Sequence, residues 1–173
     1  MSESLSARWI RELALAPHPE GGWYRETYRA GDHFPGAPGD GFPAGRSLCT
    51  AIYFLLEHGN FSAFHRICSD EQWHHYDGDG ADVHVIEPGG DYRVLRLGRG
   101  SGRQPQAVVP AGCWFACEVA EGGKFSLLGC TVAPGFDFAD FELADGIELA
   151  AAHAQHAALV RRLTRTKIKQ GGE

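Results

Sequence analysis

Residues 59–78 read GNFSAFHRICSDEQWHHYDG, which places Gly59, His65, Glu71 and Gly78 at the spacing G-x5-H-x-I-x3-E-x6-G. Two short strands joined by a turn fit this stretch. Side chains alternate along a strand, so if His65 points inward, Ala63 and Ile67 do too and Arg66 points out. If Glu71 points inward, Trp73 and His75 follow, and His74 faces away. The inferred interior patch is His65, Ile67, Glu71, Trp73 and His75. A few polar groups in an apolar, aromatic setting have the character of a small-molecule pocket. A buried carboxylate is rarely left unpaired. Glu71 therefore needs a partner: an arginine or backbone groups if its role is structural, and His65, a ligand or a metal if it is functional.

The flanking sequence extends this into an all-β domain. Residues 48–56, LCTAIYFLL, form a continuous apolar run, as expected of a strand covered on both faces. Further strands are expected at 62–67, 71–76, 83–86, 92–97, 107–109, 114–119 and 125–132, with Pro88-Gly89-Gly90-Asp91 as a hairpin turn. An aromatic and Thr-rich strand, 23–28, precedes them. Short strands at this rhythm with no helices between them argue for an antiparallel sandwich or barrel. Leu5, Trp9 and Leu13 recur every four residues and mark an N-terminal helix over 5–15 that Pro17 stops. An Ala-, Leu- and Arg-rich end, 145–169, reads as one or two helices packed outside the barrel. Residues 31–45 hold five Gly and three Pro and form a loop, either a lid or a plain surface connection.

Bulk properties set outer bounds. The 173 residues suffice for one domain, 1–173, with a sizeable core, and the 23 Gly and 9 Pro suit many strands and turns. A net charge of −6 offers no basic field for nucleic acid or anionic lipid. No apolar run reaches the length of a membrane span, and MSESLSARWIREL holds none suited to a signal sequence. Five cysteines with no C-x-x-C pair argue against a zinc knuckle or disulfide framework, so the expectation is a reduced, cytoplasmic protein.

The 59–78 spacing resembles the first motif of the cupin superfamily, G-x5-H-x-H-x3or4-E-x6-G. In that motif two strands of a small barrel point two His and a Glu into one cavity, often around a metal. The second cupin motif, G-x5-P-x-G-x2-H-x3-N, is matched in its P-x-G core by Pro110-Ala-Gly112. The resemblance puts the four usual metal positions at His65, Ile67, Glu71 and Phe115. Ile67 and Phe115 have no lone pair to donate, and two protein ligands hold a transition metal poorly. The expectation is no metal and no other cofactor; His75 is the one further donor that would complete a weak three-ligand site.

A narrower resemblance covers about residues 13–144. The strings LALAPHPEGGWYRETYR, TAIYFLL, FHRICSDEQWHHYDG, VVPAGCWFA and GCTVAPGFDFADFELA look like a cupin subfamily labelled predicted sugar epimerases. This implies a double-stranded β-helix (jelly-roll) subunit, a homodimer, and a small-molecule ligand in the barrel. The label derives from likeness to metal-free deoxythymidine-diphosphate-sugar epimerases, a fold-level analogy. Those enzymes use a His at the first cupin His position as base, which carries onto His65. An Asp orients that His, for which Asp137 and Asp140 are candidates, and a Tyr is the acid, with Tyr24, Tyr28, Tyr53 and Tyr76 unranked. Arginines hold the nucleotide diphosphate, for which Arg25 and Arg66 are candidates.

The expected site therefore has His65 and Glu71 as catalytic groups and Glu26, Trp73, His75, Arg66 and Phe115 as substrate-binding groups. Glu20 and the Pro17–Gly22 turn read as structural, and His18 and His33 as loop residues. Phe136, Phe138 and Phe141 read as core or dimer contacts. Three functions fit in order: a metal-independent epimerase or isomerase of a sugar or nucleotide-sugar, a non-catalytic small-ligand-binding cupin, and a disfavoured metal-dependent dioxygenase or hydrolase.

Overall fold

A computed structural model describes residues 3–34 and 45–165. Two antiparallel sheets carry the fold. The first is ordered β1 (Ala16–Pro17), β2 (Trp23–Arg29), β5 (Thr50–Glu57), β12 (Phe125–Ala133), β7 (Asp70–Gly78), β10 (Gln106–Val109). The second is ordered β13 (Glu142–Leu143), β6 (Phe61–Arg66), β11 (Trp114–Val119), β8 (Ala81–Ile86), β9 (Tyr92–Leu97). A two-stranded ribbon pairs β3 (His33–Phe34) with β4 (Arg46–Ser47). The expected strands are all present, with bounds that differ by at most two residues: β5 begins at Thr50 and β6 ends at Arg66, while β7 and β8 run longer than expected. The four shortest, β1, β3, β4 and β13, carry no alternation long enough to be legible in sequence.

The main core lies between the sheets. Phe54, Trp73, Val83, Val85, Phe115, Cys117 and Leu128 come from both and are buried together. Full burial of each large side chain contributes roughly 1.5–3 kcal/mol. The outer faces are also covered, which explains the unbroken apolar run in β5. Phe54 and Leu56 face the core, while Leu55 packs outward with Leu15, Phe125, Leu127 and Trp9, Ile10 and Leu13 at the end of α1 (Leu5–Glu12). On the other sheet, α2 (Gly146–Ala152) and α3 (Ala157–Arg162) bury Leu149, Ala150 and Val160 against Phe64, Ile86 and Ala116.

Two boundaries differ from expectation. Pro17 does not stop α1. The helix ends earlier, where Ala14 takes a left-handed φ of 49°, Ala14 N–H donates to Arg11 O, and Leu15 N–H donates to Ile10 O. This is the paired closure of a Schellman turn, with Ala where Gly is usual. Of the expected 31–45 loop, 35–44 lies outside the described residues, as does 166–169 of the expected C-terminal helices. Among the described residues no helix is long and apolar enough to cross a membrane.

The glycine that closes the 59–78 motif has a steric reason. Gly78 ends β7 with φ of 81°, and a Cβ there would lie 2.6 Å from Phe125 O. The 88–91 turn forms as expected, with Glu87 N–H donating to Asp91 O at 2.9 Å.

Candidate functional site

A cavity of about 130 Å³ opens between β2, β5, β6, β7 and β12, roofed by the segment after β12. His65 and Glu71 both reach it, as the alternation of β6 and β7 demands. Three local irregularities bring the rest of the site together.

The first is the turn between β1 and β2. Ala63 N–H on β6 donates to Glu20 O at 2.9 Å, and Arg165 Nε donates to the same oxygen at 3.0 Å. Arg165 also donates to Asn60 Oδ1 at 2.7 Å and Phe61 O at 2.9 Å, and its guanidinium lies over the Phe61 ring. The turn lies so close to β6 that a Cβ on Gly21, at φ of 115°, would collide with Phe61 O and the Arg165 guanidinium. This docking carries His18 and Glu20 into the cavity wall, and both side chains are buried. Glu20 is thus a site residue and His18 no mere loop residue, contrary to the sequence expectation.

The second is a bulge in β6. Phe115 pairs with His65 but Cys117 pairs with Ser62, so β11 advances two residues while β6 advances three. Strict alternation would turn Ser62 and His65 to opposite faces. The bulge instead sets both against Glu20: Ser62 Oγ donates to Oε1 at 2.8 Å, and His65 Nε2 lies 3.2 Å from Oε2. The third is a bulge in β2 between Glu26 and Tyr28, which places Tyr24, Glu26 and Arg29 all on the cavity. Arg29 grips Glu26 through Nε at 3.0 Å and Nη2 at 2.7 Å and donates through Nη1 to Phe136 O at 3.2 Å.

Hydrogen-bond partners fix the proton positions. His65 Nδ1 lies 2.7 Å from Ala63 O, which can only accept, so Nδ1 carries a proton. Nε2 then faces Glu20 Oε2, and one further proton must lie between them. Burial lowers the His65 pKa, offset in part by the Glu71 carboxylate, and burial raises that of Glu20. Both effects favour a neutral carboxyl on Glu20 donating to a neutral imidazole. His18 Nδ1 accepts from Glu20 N–H at 3.3 Å and lies 3.6 Å from Oε2. It too is held neutral, chiefly by burial. Glu71 is pushed up to about 7, first by burial and further by Glu20, against the pull of His65 and Cys130.

Other expected site residues lie elsewhere. Trp73 packs edge-on to Phe54 and Phe115 in the core and does not line the cavity. Phe115 supports His65 from behind, ring centroids 4.1 Å apart. His75 is buried but turned to Asp79 O at 2.9 Å, away from the cavity, so it completes no ligand set. Arg66 alternates outward, pairs with Glu142 and covers Trp114. Asp137 caps the turn at Phe138–Asp140, and Asp140 pairs with Arg46, so neither orients His65. Among the tyrosines proposed as the acid, only Tyr24 lines the cavity. Glu26 does reach it; Phe136 and Phe138 form part of its wall, and Phe136 and Phe141 also pack against the main core as expected.

A family model described as Cupin superfamily (DUF985) matches residues 7–144. The chain belongs to the cupin superfamily. Two solved relatives cover nearly its whole length. A crystal structure of a Shewanella oneidensis protein is 38% identical, with TM-score 0.83 over 96% of this chain and 100% of that one. A hypothetical protein from Leishmania major is 34% identical, with TM-score 0.82 over 92% and 98%. Oxalate decarboxylase from Bacillus subtilis matches at 15% identity and TM-score 0.53, over 85% of this chain and 36% of that one, a likeness of fold alone. No curated protein is significantly similar in sequence.

Many cupins hold a metal, and this cupin's cage positions do not fit one. Ile67 and Phe115 are buried and offer no donor atom. His18 and Glu20 add donors near His65, yet no group of three or more His, Cys, Asp or Glu among the described residues is disposed to hold a metal ion. What the cavity offers instead is two buried carboxyl groups and two imidazoles in an apolar wall, a set suited to moving protons.

Proposed function

We propose that the protein is a metal-independent isomerase or epimerase of a small carbonyl-bearing sugar, with the Glu20–His65 pair and Glu71 as its proton carriers. The observation that carries this reading is the contact of His65 Nε2 with Glu20 Oε2 at 3.2 Å while Nδ1 is committed to Ala63 O. Epimerisation beside a carbonyl needs a base to remove a carbon-bound proton and an acid to return one to the opposite face. The resting pair must first release the proton held between Glu20 and His65; with Glu20 then ionised, Nε2 is free to take the carbon-bound proton. The C–H electron pair moves into an enediolate, and the imidazolium is held by the Glu20 carboxylate. Protonated Glu71 returns a proton to carbon. The pair titrates as a unit, so neither pKa belongs to one residue alone. The buried, apolar setting strengthens each of these interactions relative to water.

Support for a sugar comes from the resemblance to the predicted sugar epimerases and from an aromatic wall set beside polar groups. A non-catalytic ligand-binding cupin is the second reading, favoured by the same small, largely apolar cavity.

The test is deuterium exchange by proton NMR with a panel of free ketoses, aldoses and keto-sugar nucleotides in D₂O. The proposal predicts exchange at the carbon next to the carbonyl, reduced at least about 100-fold in His65→Gln and in Glu20→Gln. Absence of exchange by the wild type across the panel, or undiminished exchange in His65→Gln, removes it. Thermal stabilisation by a sugar without exchange selects the binding reading.

A further inference from the structure

We propose that the ligand of this cavity is uncharged, a hydroxyl- and carbonyl-bearing molecule no larger than a free monosaccharide, with no phosphate or nucleotide attached. This deepens the reading above and rests on it for the site. Three observations carry it.

The first is the fate of the cations. Phosphate recognition needs free guanidinium forks, ammonium groups or unoccupied backbone N–H donors. Arg29 is the only Arg or Lys lining the cavity among the described residues, and its fork is already spent on Glu26 and Phe136 O. The two arginines the resemblance offered for a diphosphate both face away: Arg25 lies over the Tyr53 ring and Arg66 pairs with Glu142. In the short turn that roofs the cavity, the Ala139, Asp140 and Phe141 N–H groups are already spent on Asp137 Oδ1, Asp137 O and Phe138 O.

The second is the sign of the remaining charge. Glu20, Glu26 and Glu71 line the cavity against that one paired arginine, and both histidines are held neutral. An anionic ligand would enter beside two buried carboxyl groups, with the one cation among the described lining residues, Arg29, already paired to Glu26. Hydroxyl and carbonyl groups meet no such penalty, since protonated Glu20 and Glu71 can donate and their ionised forms can accept.

The third is size. The cavity of about 130 Å³ is well below the roughly 300–1,000 Å³ of sites that take drug-sized ligands. A single sugar ring is the scale it suits. Tyr24, Phe136 and Phe138 add aromatic, apolar surface to the wall, suited to a sugar ring's C–H groups.

The experiment is a thermal-shift and calorimetric comparison of matched probes: D-fructose, D-glucose, fructose 6-phosphate, inorganic phosphate and deoxythymidine-diphosphate-glucose. The expected result is saturable stabilisation of the wild type by a free sugar and none by its phosphate or nucleotide counterpart at equal ionic strength. Glu26→Gln, an exposed change that releases the Arg29 fork, should gain affinity for fructose 6-phosphate by about tenfold or more over wild type. Tighter binding of a phosphorylated or nucleotide-linked probe to the wild type overturns the proposal, as does a lack of stabilisation by every free sugar. The two claims fail separately. Free sugars that bind without C–H exchange leave the ligand class standing and remove the isomerase. Exchange confined to sugar phosphates does the reverse.

Discussion

Replacing Glu71 by Gln should make the protein relatively more stable as pH rises, and the sign follows from burial. The carboxyl is pushed from an ordinary 4.5 up to about 7 in the folded protein. Below pH 4.5 both folded and unfolded chains carry the proton, and the folded state bears no penalty. Between 4.5 and 7 the unfolded chain releases it and the folded one does not, so stability falls with each pH step. Above 7 the buried carboxylate is ionised and the penalty is complete. A shift of 2.5 units corresponds to about 3 kcal/mol. Most of it, about 2–3 kcal/mol, is traversed between pH 5 and pH 8. Gln has nearly the same volume and never ionises. Urea unfolding of both proteins at pH 5, 6, 7 and 8, followed by tryptophan fluorescence, gives the difference directly. The expected result is a Gln-minus-wild-type stability that climbs by that amount across the series. A flat difference would refute the argument, because it would mean that Glu71 titrates alike in the folded and unfolded chains. A difference that falls would reveal a cation holding the carboxylate ionised.

Arg165→Met removes the donors that hold Glu20 O, Asn60 Oδ1 and Phe61 O; it should cost about 2 kcal/mol and speed hydrogen exchange at the Ala63 amide. Ala14→Gly relieves a left-handed residue at the end of α1 and should raise stability by about 1 kcal/mol in urea unfolding. Arg46→Met strands the Asp140 carboxylate, which is paired at 2.8 Å and little exposed, and should cost about 3–5 kcal/mol.

The fold was legible because its signals are local. Alternation in β6 and β7, the turn at 88–91 and the two-faced apolar run of β5 each state their own structure. Half of the site was legible for the same reason: His65 and Glu71 face the cavity as their strands dictate. The other half depends on breaks in alternation and on contacts distant in sequence. A two-for-three bulge turns Ser62 toward the same partner as His65, and no residue type announces it. Glu20 reaches His65 because a turn 45 residues upstream is pinned to β6 by Ala63 and by Arg165. The visible hint was Pro17-His-Pro-Glu-Gly-Gly22 itself: two glycines beside a carboxylate permit the close approach that Gly21 makes. His75 misled because it keeps the right parity on β7 yet sits past the end of the cavity, where Asp79 O claims it. Arg66 misled because a basic residue beside a candidate base invites a ligand role, while its parity already pointed it outward.

The central claim is that one proton is shared between Glu20 and His65 inside an apolar cavity, with Glu71 beside them. Nitrogen-15 NMR of the His65 ring across pH tests it most directly. The account predicts a protonated Nδ1 and a hydrogen-bonded Nε2 at neutral pH, with a titration displaced below that of an exposed histidine and a marked change in Nε2 on Glu20→Gln. An imidazole that titrates as a solvent-exposed histidine does, indifferent to Glu20→Gln, would contradict it.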